Sequence, residues 1–169
     1  MRLRKSLFAT EKVSVSISEW IVIISSLVIV GVMFLEVLLR YVFKAPLYGT
    51  EEIATNMVLW LWFFGMAYAT YCGFYIGSNF PIRKRSAQDI FALVKPIFCL
   101  IITLIFCYFS YQYCHWTVVK NLHSISLRFP LIYGVVAVFI GLVLTAVYLI
   151  REIVIKTRAI GHQDKRAIK

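Results

Sequence analysis

Five polar residues at the junction between two apolar runs carry the chemical potential of this chain: Glu36, Arg40, Thr50, Glu51 and Glu52. An acid and a base four residues apart share one helix face, and a turn containing Pro46 leads to a pair of carboxylates. A carboxylate at membrane depth costs roughly 2.5–3.5 kcal/mol, so it has either a partner or a task such as proton transfer. Arg40, one helical turn from Glu36, is placed to neutralise it. Thr50 is placed as an N-cap, with Glu51 and Glu52 in a first turn whose positive helix end favours carboxylates by about 0.3–1 kcal/mol. The pattern therefore predicts a structural polar cluster at a membrane boundary. Catalytic patterns are missing: His115, His123 and His162 fall outside the apolar centres, so a haem held between helices has no ligands. Neither a nucleophile elbow, a phosphate-binding loop nor a zinc spacing occurs. The chain is expected to be no enzyme and to hold no cofactor or metal.

The elements that position these residues follow from composition. Of 169 residues, 61% are hydrophobic and only 15% charged, more apolar than a soluble domain of about 45–50%. Four runs, approximately 20–39, 53–72, 91–113 and 131–150, each approach the ~20 residues that cross a bilayer. Residues 1–169 thus read as a single membrane domain, an all-α integral membrane protein of four transmembrane helices. The first run is too long for a signal peptide and lacks a small-residue cleavage site. Ahead of it, Leu3, Leu7 and Phe8 suit an amphipathic surface helix, while Val13 to Ser18 alternates like a strand. Beside a membrane the helix satisfies its own backbone, and is the expected form.

A net charge of +10 would suggest nucleic acid in a soluble protein, but its distribution assigns it to topology. Arg2, Arg4, Lys5 and Lys12 precede the first run. Arg83, Lys84, Arg85 and Lys95 flank the second connection, and Arg151, Lys156, Arg158, Lys165, Arg166 and Lys169 follow the fourth run. Only Arg40, Lys44, Lys120 and Arg128 fall on the other side. The positive-inside rule then places both termini in the cytoplasm. No nucleic-acid partner is expected. Lys44, Lys120, His123 and Arg128 are the cations expected on the outer face, where a delivering protein could dock.

Packing is foreshadowed by small residues. Gly65, Ala69 and Gly73 recur at four-residue spacing in the second run, and Gly134, Ala137 and Gly141 line the fourth. Such stripes let helices approach where lipid removes the hydrophobic drive for association. Trp60 and Trp62 lie near mid-span on opposite sides of their helix, so one of them is expected to face a protein partner. Trp116, Tyr133 and Tyr148 are expected as interfacial anchors. Lys95 and Pro96 fall near the start of the third run, where proline costs little. Cys72, Cys99, Cys107 and Cys114 form no metal or redox motif and read as buried small hydrophobes.

The block Arg40-Tyr41-Val42-Phe43, then Pro46-Leu47, then Thr50-Glu51-Glu52-Ile53-Ala54 and Gly65, resembles the small membrane (Q, DctQ-like) subunit of TRAP (tripartite ATP-independent periplasmic) transporters of bacteria and archaea. The resemblance covers nearly the whole chain. Gly49 stands where the family pattern has a tryptophan, and the residues around Tyr75 and Asn79 replace its cytoplasmic Gly-His and Asp. The resemblance implies a multi-pass inner-membrane scaffold paired 1:1 with a large M subunit that carries the substrate and sodium sites. It also implies a periplasmic binding protein that delivers an organic acid, a sialic acid or a C4-dicarboxylate, to the outer face.

Two readings from other classes stand beside it. Small multidrug exporters also have four spans and a glutamate in the first, which would make Glu36 a proton-coupled, drug-binding carboxylate. The chain's length, the position of Glu36 near a helix end and its neighbour Arg40 weigh against this. A membrane anchor of a respiratory enzyme is the other, weakened by the missing intramembrane histidines.

Overall fold

A computed structural model describes the backbone of residues 2–44, 49–73, 85–124 and 127–167, and the side chains of 13–44, 49–73, 93–124 and 127–157. The described residues form four helices: α1 (Arg2–Tyr41), α2 (Thr50–Tyr71), α3 (Arg85–Val119) and α4 (Ile132–Ala167). Each contains an apolar stretch of 22 to 29 residues, long enough to cross a membrane. The segment before the first apolar run is helical and continues into α1 without a break. The Val-Ser alternation does not become a strand, because a helix pairs its own backbone and a lone strand beside lipid cannot. Pro96 lies inside α3 rather than in its first turn, since that helix begins at Arg85. Its ring removes one main-chain hydrogen bond from the helix interior.

The helices do not close into a bundle. α1 packs on α2, α2 on α4 and α4 on α3, and among the described residues no other pair of helices is in main-chain proximity. The order across the molecule is therefore α1–α2–α4–α3, a row with α1 and α3 at its edges. Half of the apolar window of α4 is buried, against 6% for α1, so most of the apolar side chains of α1 face outward.

Small and hydroxyl side chains make the seams of this row. Ala137 is fully buried, and a Cβ added to Gly141 would stand 2.6 Å from Phe63 Cβ and 2.9 Å from the Phe63 main chain. One added to Gly134 would stand 2.7 Å from Asn56 Oδ1. These glycines bring α4 against α2. On α3, Pro96, Thr103, Ser110 and Thr117 are all buried at seven-residue spacing, the repeat of a left-handed helix seam. On α1, Ser18 and Ser25 keep the same spacing towards α2. Thr70, Thr103, Thr117 and Thr145 each donate to the carbonyl four residues back, which satisfies the hydroxyl inside its own helix.

Two expected roles change. Tyr148 is no interfacial anchor: it is 3% exposed, its Oη lies 2.9 Å from Ser14 Oγ, and its ring meets Tyr71 edge-on at 5.5 Å. The Arg151 guanidinium covers the other ring of that pair at 4.9 Å from the Tyr71 centroid. This cluster ties α1 to α4 across the end of α2. Gly73 is no packing residue either. Helix α2 ends at Tyr71, and Gly73 follows at φ 76 with open space where a Cβ would go. Its place is the left-handed turn that ends the helix. Gly65 does meet α1, since a Cβ added there would lie 3.9 Å from Val22 Cγ2, and Ala69 is half-buried.

Candidate functional site

The polar residues singled out in the sequence gather at the end of the row that holds the α1–α2 and α3–α4 connections. Helix α2 starts there, and its N-cap is Gly49 rather than Thr50. Gly49 adopts φ 92, ψ 0, and its carbonyl accepts from Glu52 N at 3.1 Å. Thr50 is the first helical residue and is 4% exposed. The correction has a steric cause. The left-handed φ favours a glycine here, and a Cβ on residue 49 would also stand 2.5 Å from Leu127 Cγ of the other connection.

Glu52 completes that contact. Its Oε2 accepts the main-chain N–H of Leu127 at 2.9 Å, linking residues 75 apart in the chain. One carboxylate of the acidic pair therefore reaches the α3–α4 connection. Glu51 is exposed, and its carbonyl accepts the Thr55 hydroxyl at 2.7 Å. Below them, Asn56 is 8% exposed and donates to the Glu52 carbonyl at 3.0 Å, with its Oδ1 turned towards Gly134 of α4. Glu52 and Asn56, one turn apart, thus join the start of α2 to both the α3–α4 connection and α4.

Glu36 and Arg40 stand apart from this network. Glu36 is half-buried, eleven residues beyond Ser25 and on the same face of α1, while Arg40 is exposed. Among the described residues, no hydrogen bond or ion pair joins either of them to the other or to Glu51 or Glu52. An exposed i, i+4 pair gains only about 0.3–0.5 kcal/mol, too little to hold two long side chains in one geometry. Pro46 lies outside the described residues, as do Tyr75 and Asn79.

The connection opposite is shaped by its own main chain. Ser124 N donates to the Phe129 carbonyl at 2.8 Å and Leu131 N to the Leu122 carbonyl at 3.2 Å, pairing the two sides of the loop. His123 Nδ1 lies 2.7 Å from the Asn121 carbonyl oxygen. Lys44, Lys120, His123 and Arg128 are all exposed at this end of the molecule. Lys44 and Arg128 sit at φ 52 and φ 51, a left-handed conformation uncommon outside glycine.

Leu127 and Asn56 are the participants that residue patterns did not single out. Leu127 acts through its main-chain N–H and its contact with Gly49, neither of which has a sequence signature. Asn56 does leave one: an amide inside an apolar run, four residues after Glu52, calls for a buried partner.

Residues 29–159 match the family model described as tripartite ATP-independent periplasmic transporters, DctQ component. The chain belongs to this family. It is therefore a component of a TRAP transporter and an inner-membrane protein. A search of curated proteins returns no match. The matched segment begins inside α1 and runs past the Tyr148 cluster of α4, so it includes every residue of the Gly49–Glu52–Leu127 junction.

The junction makes a direct prediction. Replacing Glu52 with alanine leaves the Leu127 N–H without its carboxylate, at a cost of about 1 kcal/mol at this partly exposed position. Replacing it with glutamine keeps an acceptor oxygen and should recover most of that loss. Thermal unfolding of the two variants in detergent measures the difference, and equal melting of both would separate the carboxylate from the stability of the loop.

Proposed function

We propose that this chain is the static scaffold subunit of an ion-coupled uptake system for an organic acid, a sialic acid or a C4-dicarboxylate. It pairs 1:1 with a large M subunit that carries the substrate and sodium sites, and a periplasmic binding protein delivers the substrate. Both termini lie in the cytoplasm, which puts the Gly49–Glu52–Leu127 junction on the outer side. Catalysis has no part in this role, and neither does a substrate site of its own. The observation that carries the reading is the open row: membership of a multi-component transporter family is joined to four helices whose apolar faces stay largely uncovered by one another. A row of this kind widens a neighbour's membrane surface, as a scaffold beside a moving transport domain requires. The Glu52–Leu127 bond holds the start of α2 against the α3–α4 connection at the boundary.

Reconstitution tests this. Liposomes holding this chain alone should show no uptake, whereas liposomes holding it with the large subunit should take up substrate when the binding protein and an inward sodium gradient are supplied. Uptake by the chain alone would overturn the scaffold reading. Efflux of cationic drugs that requires Glu36 would move the chain to the exporter class.

Lys120 and Arg128, with Lys44 and His123 beside them, form the cationic part of a docking surface for the binding protein. Opposite charge across a transient contact chiefly raises the encounter rate and is screened by salt. Reversing Lys120 and Arg128 to glutamate should slow uptake most at low binding-protein concentration and low ionic strength. Rates that stay unchanged across a salt series would assign docking to the large subunit.

A further inference from the structure

On one broad side of the row, α4 is recessed between α2 and α3, which leaves a groove of about 410 Å³. Val135 and Val138 of α4 line its base, and Leu59, Phe63, Phe106 and Phe109 line its sides. Trp62, 67% exposed, extends the same face three residues after Leu59. The groove also holds a polar anomaly. Ser110 is only 9% exposed and lines the groove, and its Oγ has no hydrogen-bond partner. Thr103 and Thr117, seven residues to either side on the same seam, both bond back to their own helix. A buried hydroxyl left without a partner costs about 1–3 kcal/mol, and native structures rarely leave one so.

We infer that this groove receives a transmembrane helix of the large membrane subunit, which supplies a hydrogen-bonding group to Ser110. The inference rests on the pairing proposed above and adds the face on which pairing occurs. Depth favours a protein over a phospholipid as the partner of Ser110. The residue lies six positions, about 9 Å along the helix axis, inward of the expected interfacial anchor Trp116, where acyl chains offer no acceptors. A protein helix brings carbonyl and side-chain acceptors to that depth, and helices in membranes join through such polar contacts and close packing. Shape favours a different chain over a second copy. Two concave faces meeting groove to groove would enclose an empty channel, whereas one convex helix fills it.

Site-specific photocrosslinking in membranes containing the whole transporter tests the assignment. Benzoylphenylalanine replaces Phe106 or Phe109, both exposed aromatics, so the substitution conserves shape. Ile140, two residues beyond Val138 and so on the opposite side of α4, serves as the control. The expected result is an adduct shifted to the summed mass of this chain and the large subunit from positions 106 and 109, and none from 140. The Ser110→Ala variant should lose the large subunit in a detergent wash that the Ser110→Thr variant survives. If the two subunits copurify but adducts form only or equally from position 140, with a second copy, or with phospholipid, the groove assignment fails and the pairing stands. If Ser110→Ala and Ser110→Thr retain the large subunit alike, the hydroxyl contact fails. If the subunits do not copurify at all, the pairing falls and the groove assignment with it.

Discussion

Gly141→Ala is expected to destabilise the protein by about 1–3 kcal/mol, the range for an overpacked contact. The added methyl would stand 2.6 Å from Phe63 Cβ and 2.9 Å from the Phe63 carbonyl carbon and oxygen. Main-chain atoms cannot turn aside as a side chain can, so α4 must back away from α2 along its most buried stretch. Gly31 supplies the contrast. It is also a glycine within an apolar helix, but nothing lies within 4 Å of the place its Cβ would take. Gly31→Ala should therefore be neutral or stabilising by about 0.5–1 kcal/mol, the ordinary gain of alanine over glycine in a helix. Thermal unfolding of the two variants in the same detergent reads the sign directly. A matched response from both would mean that α2 and α4 do not meet at Gly141.

The second large effect is expected at Gly49. An alanine at φ 92 carries a left-handed backbone penalty of about 1–2 kcal/mol, and its methyl would also meet Leu127 Cγ at 2.5 Å. Leu127 can relieve the contact only by turning its side chain out of its present place, since its main-chain N–H is held by the Glu52 carboxylate. Gly73 has φ 76 and open space around it, so Gly73→Ala pays the backbone penalty alone. The melting temperature should fall further for Gly49→Ala than for Gly73→Ala. Adding Leu127→Ala should narrow the gap by removing the clash. If the two glycine variants melt alike, the two connections are not interlocked through residue 49.

The sequence by itself determined the class of this protein and much of its family signature. Long apolar runs can cross a membrane only as helices, because lipid leaves backbone groups no other partner, so four helices were legible from composition and run length. The Arg40 to Ala54 block was legible too, since its residues are few, polar and set in otherwise apolar surroundings. The glycines that bring α4 against α2 were visible as a small-residue stripe in the fourth run.

Tertiary structure alone decided which helices are neighbours. Every run here is apolar on most sides. The seven-residue spacing of Ser18 and Ser25 on α1 and of Thr103, Ser110 and Thr117 on α3 follows their buried faces, but it does not say which helix each face meets, so the row order α1–α2–α4–α3 was not legible. It also decided the partners of the polar residues. Glu36 and Arg40 share a helix face by spacing, yet an exposed pair gains too little to form on spacing alone. Glu52 instead finds a main-chain N–H 75 residues away, a donor that every residue but proline has and that no sequence pattern can single out. Gly49 shows the same division. Its identity can be read in the chain, but the reasons for it, a left-handed φ of 92 and the nearness of Leu127, come only from the folded backbone and the packing of two connections against each other.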